Sequence, residues 1–238
     1  MARSSKARFA FWRDAWLPDA TWVGTKGGRA TLSHGHLDAG SFVLEAGGVR
    51  WAVDPGMEEY HRIESMGINL WGAERFTLFR IGPDGHSIPR LDGIAPDPAG
   101  NCPRIAWTAT PLPAVTFDLT RLYPKHLTRL HRTVAALPDG QTGWRDEVGG
   151  LAAGTTYRFT WLTTADVETD AARVTLSQGG RRLRIEARGD QPVTISAVAA
   201  TTLYKKPDTP IPGLKRLEFA ITSPGTDFAL NLSAALLP

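Results

Sequence analysis

Alternation of apolar and polar residues with a period of two recurs along the chain and limits the folds open to it. The clearest run, residues 183–188, reads Leu-Arg-Ile-Glu-Ala-Arg. Successive side chains of a strand point to opposite faces, so such a run predicts a strand with one buried and one wet face. Similar runs follow roughly every ten residues, separated by turns rich in Gly, Pro and Asp. The sequence therefore predicts an all-β fold, an antiparallel β-sandwich of multi-stranded sheets with little helix.

Strand patterns and one short helical turn can be placed along the chain. The turn is predicted near residues 58–66. A proline-containing loop at 94–103 separates a Trp-, Gly- and His-rich part from a plainer strand-and-turn part, and we expect one β-sandwich domain over 1–238. The predicted strands are 42–46, 49–53, 75–81, 105–110, 115–119, 127–137, 157–163, 174–177, 183–187, 193–198, 214–222 and 228–232.

Composition excludes several classes of protein. The 238 residues carry a net charge of only +3 with no dense basic run, so neither nucleic acid nor a membrane surface is expected as a partner. Apolar runs are too short to predict a membrane-spanning helix. The chain has one cysteine, Cys102, which excludes a disulfide within the chain and leaves its compartment undetermined.

Residues 33–54 carry the most informative motif. They begin Ser-His-Gly-His-Leu-Asp and end on Asp54 after two short apolar strands. His34 and His36, two residues apart, point to the same side of an extended segment. A hairpin turning at Gly47-Gly48 would bring Asp54 beside them. Imidazoles and a carboxylate on adjacent strands predict a metal site, and their type suits zinc.

A further ligand is needed to complete a tetrahedral zinc site with one open position. His86 is the best candidate, because it follows the predicted strand 75–81, which could pair next to the first two strands. His61 is its competitor, and Asp38 could either orient a histidine ring or cap a turn. His126 and His131 lie in a basic strand, which favours solvated or supporting roles.

Tyr60 is a candidate catalytic acid or base. A tyrosine near a cation such as Arg80 can exchange protons once its pKa falls, although a half-buried structural tyrosine is an equally good interpretation. Five of the eight tryptophans fall in the first third of the chain. They can stack on sugar rings or pack in the core.

The motifs together resemble the heparinase II/III family of polysaccharide lyases, specifically its C-terminal β-sandwich domain. The resemblance covers about residues 9–93. It rests on Phe-Trp-Arg-Asp at 11–14, the histidine motif from Ser33, Arg-Trp-Ala-Val-Asp-Pro-Gly at 50–56, and Gly-His-Ser at 85–87. Where this chain has His86-Ser87, family members usually carry His-Asn-Thr, so Ser87 replaces an asparagine.

The resemblance implies a site and a reaction. His36, Asp54 and His86 match positions that bind a structural zinc, and His34 matches a histidine that faces the uronate-binding cleft. The implied reaction is β-elimination on a uronate-containing polysaccharide, with His34 and Tyr60 as the catalytic candidates. The uronate carboxylate must be neutralised in that reaction, which His34 could do, and the base is expected to come from outside residues 1–238. Family enzymes carry an α/α-toroid with most of the catalytic machinery, and residues 1–238 contain no such region.

The missing toroid shapes the functional expectation. We expect an α/α-toroid domain or chain as a partner and little or no lyase activity without it. The resemblance implies a periplasmic or secreted protein, although residues 1–8 do not form a convincing signal peptide. Two alternatives stay open, a cupin-like metalloenzyme and a non-catalytic carbohydrate-binding β-sandwich. A cupin would normally place a glutamate three or four residues after the second histidine, and here the next is Glu45.

Overall fold

The computed structural model describes residues 9–204 and 208–238. These contain one α-helix, α1 (Tyr60–Ser65), and short 3₁₀ turns. The basic N-terminal segment considered as a signal peptide lies outside the described residues. The strands are β1 (Phe9–Arg13), β2 (Trp22–Lys26), β3 (Phe42–Ala46), β4 (Val49–Ala52), β5 (Pro89–Leu91), β6 (Arg104–Thr108), β7 (Ala114–Asp118), β8 (Arg129–Ala136), β9 (Thr142–Gly149), β10 (Thr156–Thr163), β11 (Asp166–Thr169), β12 (Arg173–Gln178), β13 (Arg181–Gly189), β14 (Thr194–Ala199), β15 (Lys215–Thr222) and β16 (Phe228–Leu236).

The strands form three antiparallel sheets, which confirms the predicted fold class. The first sheet has the order β1-β2-β3-β4, the second β14-β15-β10-β5, and the third β11-β12-β13-β16-β9-β8-β7-β6. As predicted, β3 and β4 form a hairpin at Gly47-Gly48, where both glycines have positive φ angles. Two consecutive residues of positive φ are the requirement of a tight hairpin turn, which glycine meets without steric cost.

Aromatic side chains join the three sheets at one core. Phe42 of the first sheet packs between Trp161 of the second and Trp144 of the third, with ring centroids 4.8 to 5.0 Å apart. The indole nitrogen of Trp161 also donates to the carbonyl of Trp51, 3.0 Å away. In β13 the apolar positions of the alternating run are buried and the charged ones are partly or fully exposed, as its period of two predicts.

The predicted strand at 75–81 is wrong. The segment instead contains a 3₁₀ turn, Ala73–Thr77, followed by further turns. Its apolar residues suggested a strand, but Arg75 turns inward, where its guanidinium donates to the carbonyls of Leu70, Ala30 and Leu32. These contacts to backbone oxygens of two loops fold the segment back on itself, which a paired strand would not allow.

Several strands were not predicted, and β9 shows why. It carries Arg145, Asp146 and Glu147 in succession, which hides the alternation. Asp146 nevertheless faces the core, where it pairs with Arg132. The strands β1, β2, β5 and β11 were also missed. The helical turn expected near 58–66 is confirmed as α1, and no helix in the described part of the chain is long and apolar enough to cross a membrane.

Candidate active site and metal centre

The histidine motif forms a loop between β2 and β3 rather than an extended strand. His34 is exposed and has a φ angle of +57°. This left-handed conformation is uncommon for residues other than glycine and costs conformational energy. The loop is fastened at its far end, where the Leu37 amide donates to the Ile81 carbonyl over 2.8 Å. The turn of the backbone between His34 and His36, and not strand alternation, therefore sets the directions of their side chains.

Gly35 allows this turn. A Cβ atom at this position would lie 2.5 Å from the carbonyl oxygen of Ala30 and 3.0 Å from that of Leu32. Both oxygens accept hydrogen bonds from Arg75, at 2.8 and 3.3 Å, and so cannot move away freely. Any side chain larger than hydrogen would push the histidine loop off its support.

Gly35→Ala should therefore destabilise the loop. We expect the free energy of unfolding to fall by about 1–3 kcal/mol, the range for overpacking at a well-packed position. Denaturant unfolding measures this change. Ser33→Ala is the matched control, since Ser33 lies exposed in the same loop. Equal stabilities for the two variants would show that the Gly35 contact is not restrictive.

Tyr60 joins His34 at the surface. Its hydroxyl lies 2.7 Å from His34 Nδ1, within a hydrogen bond, and the two rings are nearly parallel with centroids 6.0 Å apart. Trp71 also contacts the His34 ring, in an edge-on arrangement with centroids 5.3 Å apart. Tyr60 is the first residue of α1, which Glu59 caps by accepting from the amides of His61 and Arg62. The helix start thus holds the phenol against the imidazole.

A second group of side chains lies deeper. His36, Asp38 and His86 each offer a ligand atom, and these atoms lie within 4.8 Å of one another. His86 is fully buried, and Lys26 places its ammonium 2.8 Å from the Asp38 carboxylate. Asp54 lies at the edge of this group, where its Oδ2 is 2.9 Å from His86 Nδ1. Two histidines and two carboxylates are thus gathered at one place.

The second sheet supports this group through β10. The Leu162 carbonyl accepts from the amide of Val53, next to Asp54, over 3.0 Å. The Leu162 amide donates to Ser87 Oγ, also at 3.0 Å, and Thr160 Oγ1 donates to the carbonyl of His86 at 3.2 Å. Ser87 therefore secures the segment that bears His86.

The protonation of the group differs between its two histidines. Burial, together with the nearby His86 ring, lowers the pKa of His36 to about 4, so this imidazole is neutral at pH 7. Burial opposes charge on His86, but the adjacent Asp54 carboxylate outweighs it and raises the His86 pKa. Burial likewise opposes charge on Asp54, and the His86 ring with the Gly56 amide outweighs it and lowers the Asp54 pKa. A neutral imidazole and an ionised carboxylate are the forms that bind metals, so His36 and Asp54 have the binding form, whereas the raised pKa of His86 means that a metal must displace a proton from that ring.

The residues present fit a metal ion. Within the described part of the chain, His86 Nε2 is buried and has no hydrogen-bond partner. An unpaired buried nitrogen is costly, and a metal ion or a bound water on Nε2 would remove the cost, whereas a metal shared with Asp54 would bind the ring through Nδ1. Nitrogen and carboxylate donors in this number are typical of zinc.

The sequence-predicted residues divide into two sets. His34 and Tyr60 form the exposed pair, and His36 and His86 lie in the buried group, with Asp54 bonded to His86. The carboxylate in the tightest group is Asp38, which the sequence suggested only as a ring orienter or turn cap.

The other candidates lie elsewhere. His61 is 94% exposed beside Glu64, so it does not complete the group, and His126 is exposed. His131 lies 3.9 Å from Asp118. Arg80 does not serve Tyr60: its guanidinium donates to the carbonyls of Pro55 and Thr209 and pairs with Glu58.

Sequence reasoning missed Arg75, and it considered Trp71 only as one of five tryptophans that could stack on sugar rings or pack in the core. Trp71 follows an Asn-Leu pair and precedes Gly72, and a large aromatic residue in such a turn was a usable signal. Trp71 is 63% exposed, and few of the other large apolar residues that the structure describes are as exposed. Arg75 left no signal in the sequence, because its carbonyl partners belong to loops whose positions depend on the whole fold.

Solved structures share this fold over nearly the whole chain. A heparinase III, the BT4657 gene product with methylated lysines, matches with a TM-score of 0.75 at 16% identity, covering 98% of this chain and 35% of that one. Another heparinase III structure and the heparan sulfate lyase HepC from Pedobacter heparinus each match with a TM-score of 0.72 at 17% identity, with the same coverage. The chain spans about a third of these proteins. No match was found among curated proteins.

The family follows from the sequence match. The family model for the heparinase II/III-like C-terminal domain matches residues 5–211. The chain belongs to this family, which confirms the resemblance seen in its motifs.

Proposed function

We propose that the chain is the zinc-containing β-sandwich part of a polysaccharide lyase that cleaves a uronate-containing polysaccharide by β-elimination. Membership of the heparinase II/III-like C-terminal family supports a lyase domain. The observation that carries the proposal is the exposed His34–Tyr60 hydrogen bond of 2.7 Å, held beside the buried histidine group. A strained backbone at His34 supports a functional rather than a packing role, because such strain concentrates at functional sites.

The chemistry suits a linked phenol and imidazole. In β-elimination a base removes the C5 proton of the uronate, the C–H electrons form the C4=C5 double bond, and the C4–O bond breaks. The leaving oxygen then takes a proton. A His34–Tyr60 pair can accept the first proton and return one, because the hydrogen bond lets the proton pass between the two groups. Trp71, edge-on to His34 and exposed, offers an apolar surface for a sugar ring.

The proposed metal is a structural zinc held by His36, Asp54 and His86. Bound there, zinc would supply rigidity to the loop that carries His34. The Asp54 Oδ2 atom lies 2.9 Å from His86 Nδ1, so a zinc ion shared by these two residues would bind the ring through Nδ1, and the only ion pair of Asp54 among the described residues is with that ring. The Asp38 carboxylate is the competitor, but Lys26 already neutralises it, and a neighbouring ammonium opposes the binding of a second cation.

The toroid is proposed as the necessary partner. The chain spans about 35% of the heparinase III structures that it resembles. Among the described residues, Arg75, which lines the same pocket as His34 and Tyr60, and Arg80 are bound to backbone carbonyls or to Glu58, so neither is free to neutralise a uronate carboxylate. That neutralisation makes the C5 proton acidic enough to remove. We therefore assign it to the toroid.

The test compares the chain alone with the chain joined to its toroid. Both are incubated with heparan-type and alginate-type polysaccharides, and the absorbance of the conjugated uronate product is followed. We expect product from the joined protein and little or none from residues 1–238 alone. A joined protein that binds these polysaccharides but forms no unsaturated product would favour a binding module. Robust product from residues 1–238 alone would remove the need for the toroid.

A further inference from the structure

A buried arginine, Arg132, contacts both of the segments that carry the histidines of the candidate metal centre. Arg132 of β8 is fully buried, and so is Asp146, which lies opposite it in the β8–β9 register. Arg132 Nε and Nη2 donate to the two carboxylate oxygens of Asp146 at 2.8 and 2.6 Å. The hydroxyl of Tyr157, from the second sheet, donates to the same carboxylate. This bidentate pairing fixes the direction of the guanidinium.

The remaining nitrogen of that guanidinium faces the site loops. Arg132 Nη1 donates to the carbonyl of Gly40 at 2.7 Å and to that of Ser87 at 3.1 Å. Gly40 ends the loop that carries His36, and Ser87 directly follows His86. A single nitrogen atom therefore holds two segments whose histidines stand with ring centroids 5.4 Å apart.

Stability alone is a weak reason for such an arrangement. Taking two charges out of water costs free energy that their attraction only partly returns, and buried ion pairs can often be replaced by apolar residues without loss. What apolar residues cannot do is hold two backbone carbonyls at a set separation. The rigid guanidinium of arginine can hold them, and a lysine ammonium, which is a point charge, cannot reproduce this geometry.

We propose that Arg132 is a positioning residue for the metal centre, setting the distance between the His36 and His86 segments from the third sheet. The inference rests on the zinc site of the proposed function. Residues that orient ligands from outside the coordination shell typically change metal affinity 10–100-fold when replaced. Arg132→Lys should therefore weaken zinc binding by about this factor.

The test measures zinc affinity by competition with a chromophoric chelator, and the visible spectrum of the cobalt-substituted protein. Arg132→Lys is expected to weaken binding and to change the cobalt spectrum. Tyr157→Phe, which removes a hydrogen bond to Asp146 but spares both loop carbonyls, should change neither. Leu176→Ala, a buried position on β12, controls for general destabilisation, since its cavity lowers stability far from the loops.

Hydrogen exchange of the metal-free protein gives a second readout. In Arg132→Lys we expect faster exchange confined to residues 36–41 and 86–89, with residues 174–187 unchanged. Should Arg132→Lys fail to fold, the triple variant Arg132→Met, Asp146→Leu, Tyr157→Phe removes the network without leaving a buried charge. It is expected to fold and to show the same weak zinc binding and the same local exchange.

The outcomes separate the two proposals. A wild-type chain without zinc overturns the zinc site, and the exchange experiment then decides whether Arg132 positions the loops. Zinc binding by the wild type with equal affinity, spectrum and exchange in Arg132→Lys overturns the positioning role alone. Equal weakening of zinc binding by Leu176→Ala would also overturn it, because the effect would then follow stability.

Discussion

Replacing His34 by alanine is expected to lower the turnover of the toroid-joined lyase ~10²-fold or more, the range for a lost acid–base or electrostatic group. The imidazole is exposed, bonded to the Tyr60 hydroxyl and held in a strained backbone conformation. Its loss leaves the phenol without a partner for proton exchange. Initial rates of unsaturated product formation measure the effect.

His61→Ala is the matched control for this prediction. His61 follows Tyr60 in α1, is 94% exposed and contacts Glu64. Because surface substitutions of this kind are usually near neutral, its turnover should stay close to wild type. Tyr60→Phe should lower turnover to a similar extent as His34→Ala. The double variant should have a turnover little below that of either single variant, because the effects of residues that act as a unit do not add. A near-normal rate for His34→Ala would refute the catalytic pair.

Loss of the metal is the second change with a large expected effect. His86→Ala, or a chelator, should remove stoichiometric zinc and lower the free energy of unfolding by several kcal/mol. A ligand that binds only the folded chain stabilises it by about 4 kcal/mol at a thousand times its dissociation constant. Elemental analysis gives the zinc content, and denaturant unfolding with and without chelator gives the stability.

Control and discriminating variants complete this experiment. His131→Ala changes a histidine outside the buried group, half-buried 3.9 Å from Asp118, and should retain zinc. Asp54→Asn should lose it, whereas Asp38→Asn should retain most of it. The reverse result for the two carboxylates would make Asp38 the ligand and Asp54 the residue that orients His86. A purified wild-type chain without zinc, with stability unaffected by chelator, would contradict the site altogether.

Sequence patterns predicted more of the fold than of the site. Strands whose alternation is unbroken, such as β13, were recognised, because the period of two is a property of a single strand. The hairpin that presents Asp54 was recognised for a similar reason, since a Gly-Gly pair between two apolar runs specifies a local turn. The strand β9 was missed because Asp146 places a charge on its inner face, where it pairs with Arg132 of another strand, β8.

The composition of the site was also a local property. A His-Gly-His run with a nearby aspartate predicted which residue types would meet, with His86 as the best third candidate, and the family resemblance implied the same residue. The expected route to His86, through a strand at 75–81, was wrong. Hydrogen bonds from Thr160 and Leu162 on β10 hold its segment instead, more than seventy residues along the chain.

The sequence by itself thus determined the antiparallel β class, the hairpin and the chemical identity of the histidine motif, since each depends on neighbouring residues and their side-chain directions. Only the tertiary structure decided that Tyr60 bonds His34, that Asp38 joins the buried group, and that Arg132 faces inward to hold two loops. These outcomes depend on contacts between segments far apart in sequence. A buried charge is tolerated only where the whole fold brings partners to it, and no pattern within one segment records where those partners will be.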